Sequence, residues 1–204
     1  MNQNKNTQNQ FSNAIRELQI GKLLRRSNIS KSCGVSAYKV FQFLLLLIFQ
    51  GKNLFRFLNS KRKDQAISKN TYYRFLNDTS FNWTKFILLL SAKVAYIFSS
   101  LIKPNRVKVL VLDDSVVKRN HSKSVELLAR VYDHVEHKFQ KGVNLLSSAK
   151  KSNHYQEISD KIDHHTDGYK TRKESLMAKP DAAILLIRRA LYVGVQADYV
   201  LMDT

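Results

Sequence analysis

The feature that most constrains this chain is a change of hydrophobic period at Lys103-Pro104. Upstream, the apolar residues from Phe86 to Ile102 recur as in a helix, whereas Val107 to Leu112 (VKVLVL) is a β-branched run that stops abruptly at Asp113 and Asp114. Proline lacks an amide donor and disfavours helix at the residue before it, so Pro104 ends one helix and marks a domain boundary. A chain with this switch is neither a pure helical bundle nor a pure sheet. It is read as α+β, with residues 11–103 helical and residues 104–204 mixed.

Charge follows the same division. The 34 Lys and Arg exceed the 16 Asp and Glu by 18, and residues 1–103 carry 17 of those bases against only Glu17, Asp64 and Asp78. A surplus this large points to a polyanionic partner, so binding is assigned to the first part. All six His and 13 of the acids lie in the second part, where acid chemistry is expected. The lone cysteine, Cys33, excludes a disulfide framework and fits a reducing, cytoplasmic location.

Residues 1–10 are polar and rich in Asn and Gln, and are read as a disordered tail rather than a signal sequence. Helices are expected over Phe11 to Arg26, over Ala37 to Gln50 behind Ser36, from Ser68 to Leu76, and from Trp83 to Ile102 behind Asn82, with a short segment Leu54 to Leu58 leading into the basic stretch Lys61, Arg62, Lys63. The runs Val40 to Phe49 and Phe86 to Ile102 are read as buried bundle helices. The first is too short for a membrane span and the second carries Lys93 at its middle, so no membrane partner is expected.

In the second part, Val125 to His137 reads as an amphipathic helix, Val143 to Leu146 as a short strand, and Lys150 to Lys179 as a polar connection. Pro180 suits the first turn of a helix through Tyr192, Gly194 its C-terminal cap, and DYVLM (Asp198 to Met202) is a strand ending in Asp203. Two acid-tipped strands are chemically suggestive. Parallel neighbours lie about 4.8 Å apart and open their C-terminal ends onto one crevice. Carboxylates brought that close repel unless a cation neutralises them, and hard oxygen donors select Mg²⁺ or Mn²⁺.

The stretch VLVLDDSVVKRNHSKSVELLARVYDHVEHKFQKG, with SKNTYYRFLNDTSFNWTKFILLL before it and GVQADYVLMDT after it, resembles the DDE transposases of bacterial insertion sequences, in the group with a Tyr-Arg-Glu-Lys signature. The resemblance implies an all-α basic N-terminal domain followed by an incomplete ribonuclease H-like α/β domain. It implies that the first catalytic and metal-holding acid is Asp114, with Asp113 as the alternative, and the second Asp203, on strands that pair in parallel. Mg²⁺ or Mn²⁺ is the implied cofactor, and double-stranded DNA at transposon ends, with a second transposase copy, the implied partners. The family's third acid lies well beyond its second, and relatives carry a longer strand-turn-strand hairpin near Gly142 to Val143. The expectation is therefore an interrupted copy, inactive alone. A non-catalytic DNA-binding module, or an inhibitor of an intact transposase, is the alternative.

Duplex contacts are expected from the basic run Lys61, Arg62, Lys63 and from Lys69, Asn70, Thr71, Tyr73 and Arg74 of a recognition-like helix whose Tyr72, Phe75 and Leu76 face the core. Lys22, Arg25, Arg26, Lys31 and Arg56 are further phosphate contacts. His134 and His137, with Asp133 and Glu136, form a lesser metal candidate and read as solvated helix-face residues. Glu126 and Asp133 read equally well as salt-bridging residues, and His164-His165 as loop residues.

Overall fold

The structure is a computed structural model that describes residues 2–60, 67–101, 103, 106–113, 115–122, 125–144 and 158–202, with side-chain surroundings from residue 10 onward except at 144. It is a mixture of helix and sheet. The chain separates into two compact units, Met1–Phe86 and Ile87–Thr204. The division falls inside a helix and ahead of the Lys103-Pro104 seam.

The described elements of the first unit are helices: α1 (Asn2–Glu17), α2 (Ile20–Arg26), α3 (Ala37–Phe49), α4 (Leu54–Leu58), α5 (Lys69–Asn77) and the start of α6 (Trp83–Leu101). Two differences from the sequence expectation stand out here. α1 reaches back to Asn2, into the stretch read as a tail, where neither Gly nor Pro interrupts it. The single helix expected to Arg26 is instead broken at Gln19, whose backbone is left-handed at φ 53°.

Helix ends are closed by backbone geometry. α2 ends in a left-handed Asn28, with Ile29 N–H donating to Leu24 O at 2.9 Å and Asn28 N–H to Arg25 O at 3.1 Å. This is the paired pattern of a Schellman cap. Gly51 repeats it after α3, through Lys52 N–H to Leu47 O at 2.8 Å. Ser36 and Asn82 cap α3 and α6 by accepting from Lys39 N–H and Lys85 N–H, but Ser68 sits before α5 without a side-chain capping bond.

Aromatic rings form the centre of this unit. Phe41 meets Phe86 at 5.2 Å, Phe43 meets Tyr72 at 5.1 Å, and Phe75 contacts Phe81 and Trp83 at 5.4 and 5.6 Å, mostly edge to face. Two backbone-mediated links fasten the end of α2 to the turn between α5 and α6: Asn82 N–H to Ser27 O at 3.1 Å and Asn28 Nδ2 to Ser80 O at 3.2 Å. The rest of α6 corrects the expectation of a buried bundle helix. Only Phe86 is buried, and Ile87, Tyr96, Phe98 and Leu101 are exposed. By length and composition α6 is the one helix among the described residues that is long and apolar enough to cross a membrane.

The second unit holds two sheets. β1 (Val109–Leu112) pairs in parallel with β5 (Tyr199–Met202), in register from Val109↔Tyr199 to Leu112↔Met202. β2 (Val116–Lys118), β4 (Lys138–Asn144) and β3 (Ala129–Asp133) form an antiparallel sheet in the order β2-β4-β3. The helix expected over Val125 to His137 is thus a strand and a turn. The alternation Ala129-Arg-Val-Tyr-Asp buries every second residue, and that two-residue period prevails over the helical one. Within the expected polar connection lies α7 (Asp167–Glu174), and α8 (Lys179–Tyr192) begins at its proline as expected. Gly194, at φ 89°, closes α8, with Val195 N–H donating to Ala190 O at 3.0 Å. Arg189 holds Glu174 through two bonds of 2.7 Å, joining α7 to α8.

Candidate nucleic-acid interface and strand-end acids

α5 presents the exposed polar side chains that a DNA-contacting helix needs. Tyr72 and Phe75 are buried among Phe43, Phe81 and Trp83, which fixes the rotation of the helix and turns Lys69, Asn70 and Arg74 outward. Thr71 and Tyr73 are half-buried, and Lys69 Nζ lies 5.8 Å from the Tyr73 ring centre. Leu76 departs from the expectation that it faces the core, for it is 48% exposed. It follows Phe75 directly on a helix whose apolar stripe is too narrow to cover both. Burial pushes the Tyr72 phenol above its ordinary value.

Lys22, Arg25, Arg26 and Arg56 are exposed and Lys31 half-buried, and none of them forms a salt bridge within 4 Å among the described residues. Their charge is therefore open to an anion. Lys61, Arg62 and Lys63 lie outside the described residues.

At the strand ends, Asp113 is exposed, while Asp114 and Asp203 lie outside the described residues. What the structure describes is the pair of strands leading to them. β1 and β5 run side by side in the same direction, and their last pair is Leu112↔Met202, one residue short of Asp113 and Asp203 in the sequence. The register is set at the opposite end, where Asp198 Oδ2 accepts from Lys108 N–H at 2.8 Å and Asp198 N–H donates to Lys108 O at 2.8 Å. Carboxylate oxygens, which are all that these three acids could offer, are donors that suit a hard cation such as Mg²⁺. Among the described residues no group of three or more His, Cys, Asp and Glu gathers in a way that would hold a metal ion.

The lesser metal candidate resolves into a structural network. Asp133 closes the β3-β4 turn by accepting from Val135 N–H at 2.9 Å and Glu136 N–H at 3.1 Å, and it pairs with Lys118 at 2.7 Å. Glu136 pairs with Lys118 and with Lys138, while Gln140 Nε2 donates to both acids. The ammonium of Lys118, seconded by the turn's backbone amides, holds the Asp133 carboxyl down at about 2, and Glu136 is also lowered. Lys118 is raised in return. His134 and His137 sit in the turn rather than on a helix, and His164 stacks on Tyr169 at 4.3 Å. Glu126 does form a salt bridge, to Arg172 at 2.6 Å.

Sequence reading missed the exposed face of β3 and β4 because it applied a helical period there. The signal that reveals it is the strict alternation Arg130, Tyr132, His134 against Ala129, Val131, Asp133. In comparison with known proteins, no family model, no curated protein and no solved structure matches the chain.

Proposed function

We propose that this chain is a DNA-binding protein of the DNA transposase type, with a basic helical part that grips duplex DNA and a ribonuclease H-like part that carries strand-end acids. The observation that carries the reading is the parallel pairing of β1 with β5, because it makes neighbours of two strands that each run into an acid and lie some 90 residues apart in the chain. The exposed cations of α5 and the balance of 17 bases to 3 acids over residues 1–103 support the DNA-binding half.

In this reading Asp114 and Asp203 would hold Mg²⁺ or Mn²⁺, with Asp113 as the alternative to Asp114. When bound, such an ion supplies positive charge to the attacking and leaving oxygens of a phosphodiester. The protein's own contribution is placement. In this reading the strand pair would bring the two acids to one end of the sheet, and Lys69, Asn70, Thr71, Tyr73 and Arg74, with Lys61, Arg62 and Lys63, would hold and orient the duplex. A role in DNA binding alone, for instance as an inhibitor of an active transposase, rests on the α5 face without the acids.

Titration of labelled duplex DNA with the full chain tests the binding half. With roughly 6 to 10 phosphate contacts, affinity falls on the order of 10³- to 10⁵-fold between 50 and 200 mM salt. A flat salt response overturns the reading. Lys69→Ala with Arg74→Ala weakens binding and changes sequence preference, since both lie on the exposed side of α5. For the acids, Asp114→Asn or Asp203→Asn removes a Mg²⁺-dependent rise in melting temperature. Retention of that rise in both variants leaves only the DNA-binding role.

A further inference from the structure

The antiparallel sheet has one face closed and one face open. Ala129, Val131, Asp133, Gln140 and Gly142 are buried on one side. The register pairs Arg130 with Lys141 and Tyr132 with Phe139 on the other. There Tyr132 is 38% and Phe139 57% exposed, their rings meeting edge to face at 5.1 Å. The Arg130 guanidinium lies over the Phe139 ring, 4.3 Å from its centre. His134 extends the aromatic row, 5.1 Å from Tyr132. Arg119 adds a further cation at the β2 side, its N–H donating to Lys141 O at 2.8 Å. By register, Arg119, Lys141 and Arg130 form a transverse basic row about one strand spacing apart, beside the rings.

Among the described residues, the acids near this face are already engaged. Asp133 is buried on the far side with Lys118, and Glu136 in the turn is held by Lys118 and Lys138. Among the described residues, Arg119, Arg130, Tyr132 and Phe139 then present a cationic and aromatic surface. A cross-strand aromatic pair stabilises a hairpin by itself, but that role requires neither the guanidinium on Phe139 nor the flanking Arg119. Aromatic rings and guanidinium planes on an open sheet, beside cations that follow a phosphate chain, are the chemistry that recognises unpaired bases.

We propose that the open face of β3 and β4, built from Arg130, Tyr132 and Phe139 with Arg119 beside them, is a stacking platform for single-stranded nucleic acid. Duplex DNA offers no free base faces to such a platform. The site is therefore distinct from the α5 surface and stands whether or not the strand-end acids hold a metal.

The test is fluorescence anisotropy of the full chain with labelled 12-nucleotide oligo-dT and oligo-rU, and with a duplex of equal length. Stacking contributes about 1–3 kcal/mol per base. Phe139→Leu therefore weakens single-strand binding about 5- to 150-fold, as does Tyr132→Leu, while duplex affinity is unchanged. Phe139→Tyr keeps the ring and restores binding, which separates loss of stacking from loss of fold. The two oligonucleotides distinguish a DNA strand from an RNA strand as the natural occupant, and ring-dependent binding of either supports the platform. Equal single-strand affinity in the wild type, Phe139→Leu and Tyr132→Leu overturns it, as does a parallel loss of duplex binding in the leucine variants that Phe139→Tyr fails to restore.

Discussion

The two sheets of the second unit stand in different physical situations, and the more apolar one is the more exposed: β1 and β5 read VLVL and YVLM, whereas β3 and β4 carry charged and polar residues among their apolar ones. In the antiparallel sheet β2-β4-β3, one face is covered: Val131 is 6% exposed, Asp133 is buried with it, and a salt-bridged turn closes the hairpin. In the parallel pair β1/β5, Val111 is 66% and Leu201 57% exposed, and every residue of β5 is exposed. The hairpin partners are separated by a turn of four residues, whereas β1 and β5 meet across some 90 residues. A local pair forms at little cost in chain entropy and then buries one face. A distant parallel pair repays a larger closure cost only when neighbours cover it. Strand composition alone therefore says little about how much a strand contributes to stability.

The largest expected effect that sharpens this contrast is at Gly142. A Cβ there would stand 2.8 Å from the Val117 carbonyl oxygen and 3.2 Å from Val131 Cγ2. Gly142→Val forces backbone apart in the centre of the three-stranded sheet, at a cost of about 3 kcal/mol. Thermal or urea unfolding measures it, and a cost below ~0.5 kcal/mol would mean that the sheet is looser than described. Next comes a matched pair of truncations. Val131→Ala costs about 2 kcal/mol through lost burial and the cavity left behind. Val111→Ala, the same chemical change on an exposed residue, costs less than about 0.5 kcal/mol. An equal cost at both positions breaks the comparison, since it means that β1 is covered in solution.

The smallest effect is electrostatic. Asp133 has a folded value of about 2 against an ordinary 3.8, so its contribution is present above the ordinary value and is lost as pH falls through that range toward 2. Lys118 is raised above its ordinary 10.5, so its side of the pair is present below that value and is lost as pH rises through the folded one. Amide exchange in the β3-β4 hairpin followed from pH 5 to 2 reads the acid limb. Asp133→Asn flattens it, and an unchanged acid limb in that variant removes the carboxylate from the account.

Local signals carried much of this protein in its sequence. Ser36, Asn82, Pro180 and Gly194 place helix ends because capping and turn geometry depend on a few neighbouring atoms. VKVLVL and DYVLM read as strands from β-branched residues and from the acids that stop them, and the cationic character of residues 1–103 is plain arithmetic. Tyr72 and Phe75 were legible as the inward side of α5 from their spacing of three, but Leu76 was not, since its exposure depends on how wide a stripe the neighbouring rings cover. The stretch 125–137 misled because Val125, Leu128, Val131 and Val135 recur at the helical spacing of three and four, while the alternation that prevails is confined to the five residues Ala129 to Asp133. Tertiary structure decided for the strand: pairing with β4 satisfies its backbone hydrogen bonds while Val131 and Asp133 become buried. The exposure of α6 was likewise invisible in sequence, because hydrophobicity states what a helix prefers to bury and not whether a partner is there to bury it. The parallel pairing of β1 with β5 belongs to the same class. Each strand was written locally, and their adjacency was fixed only when the intervening chain folded back and brought Lys108 to Asp198.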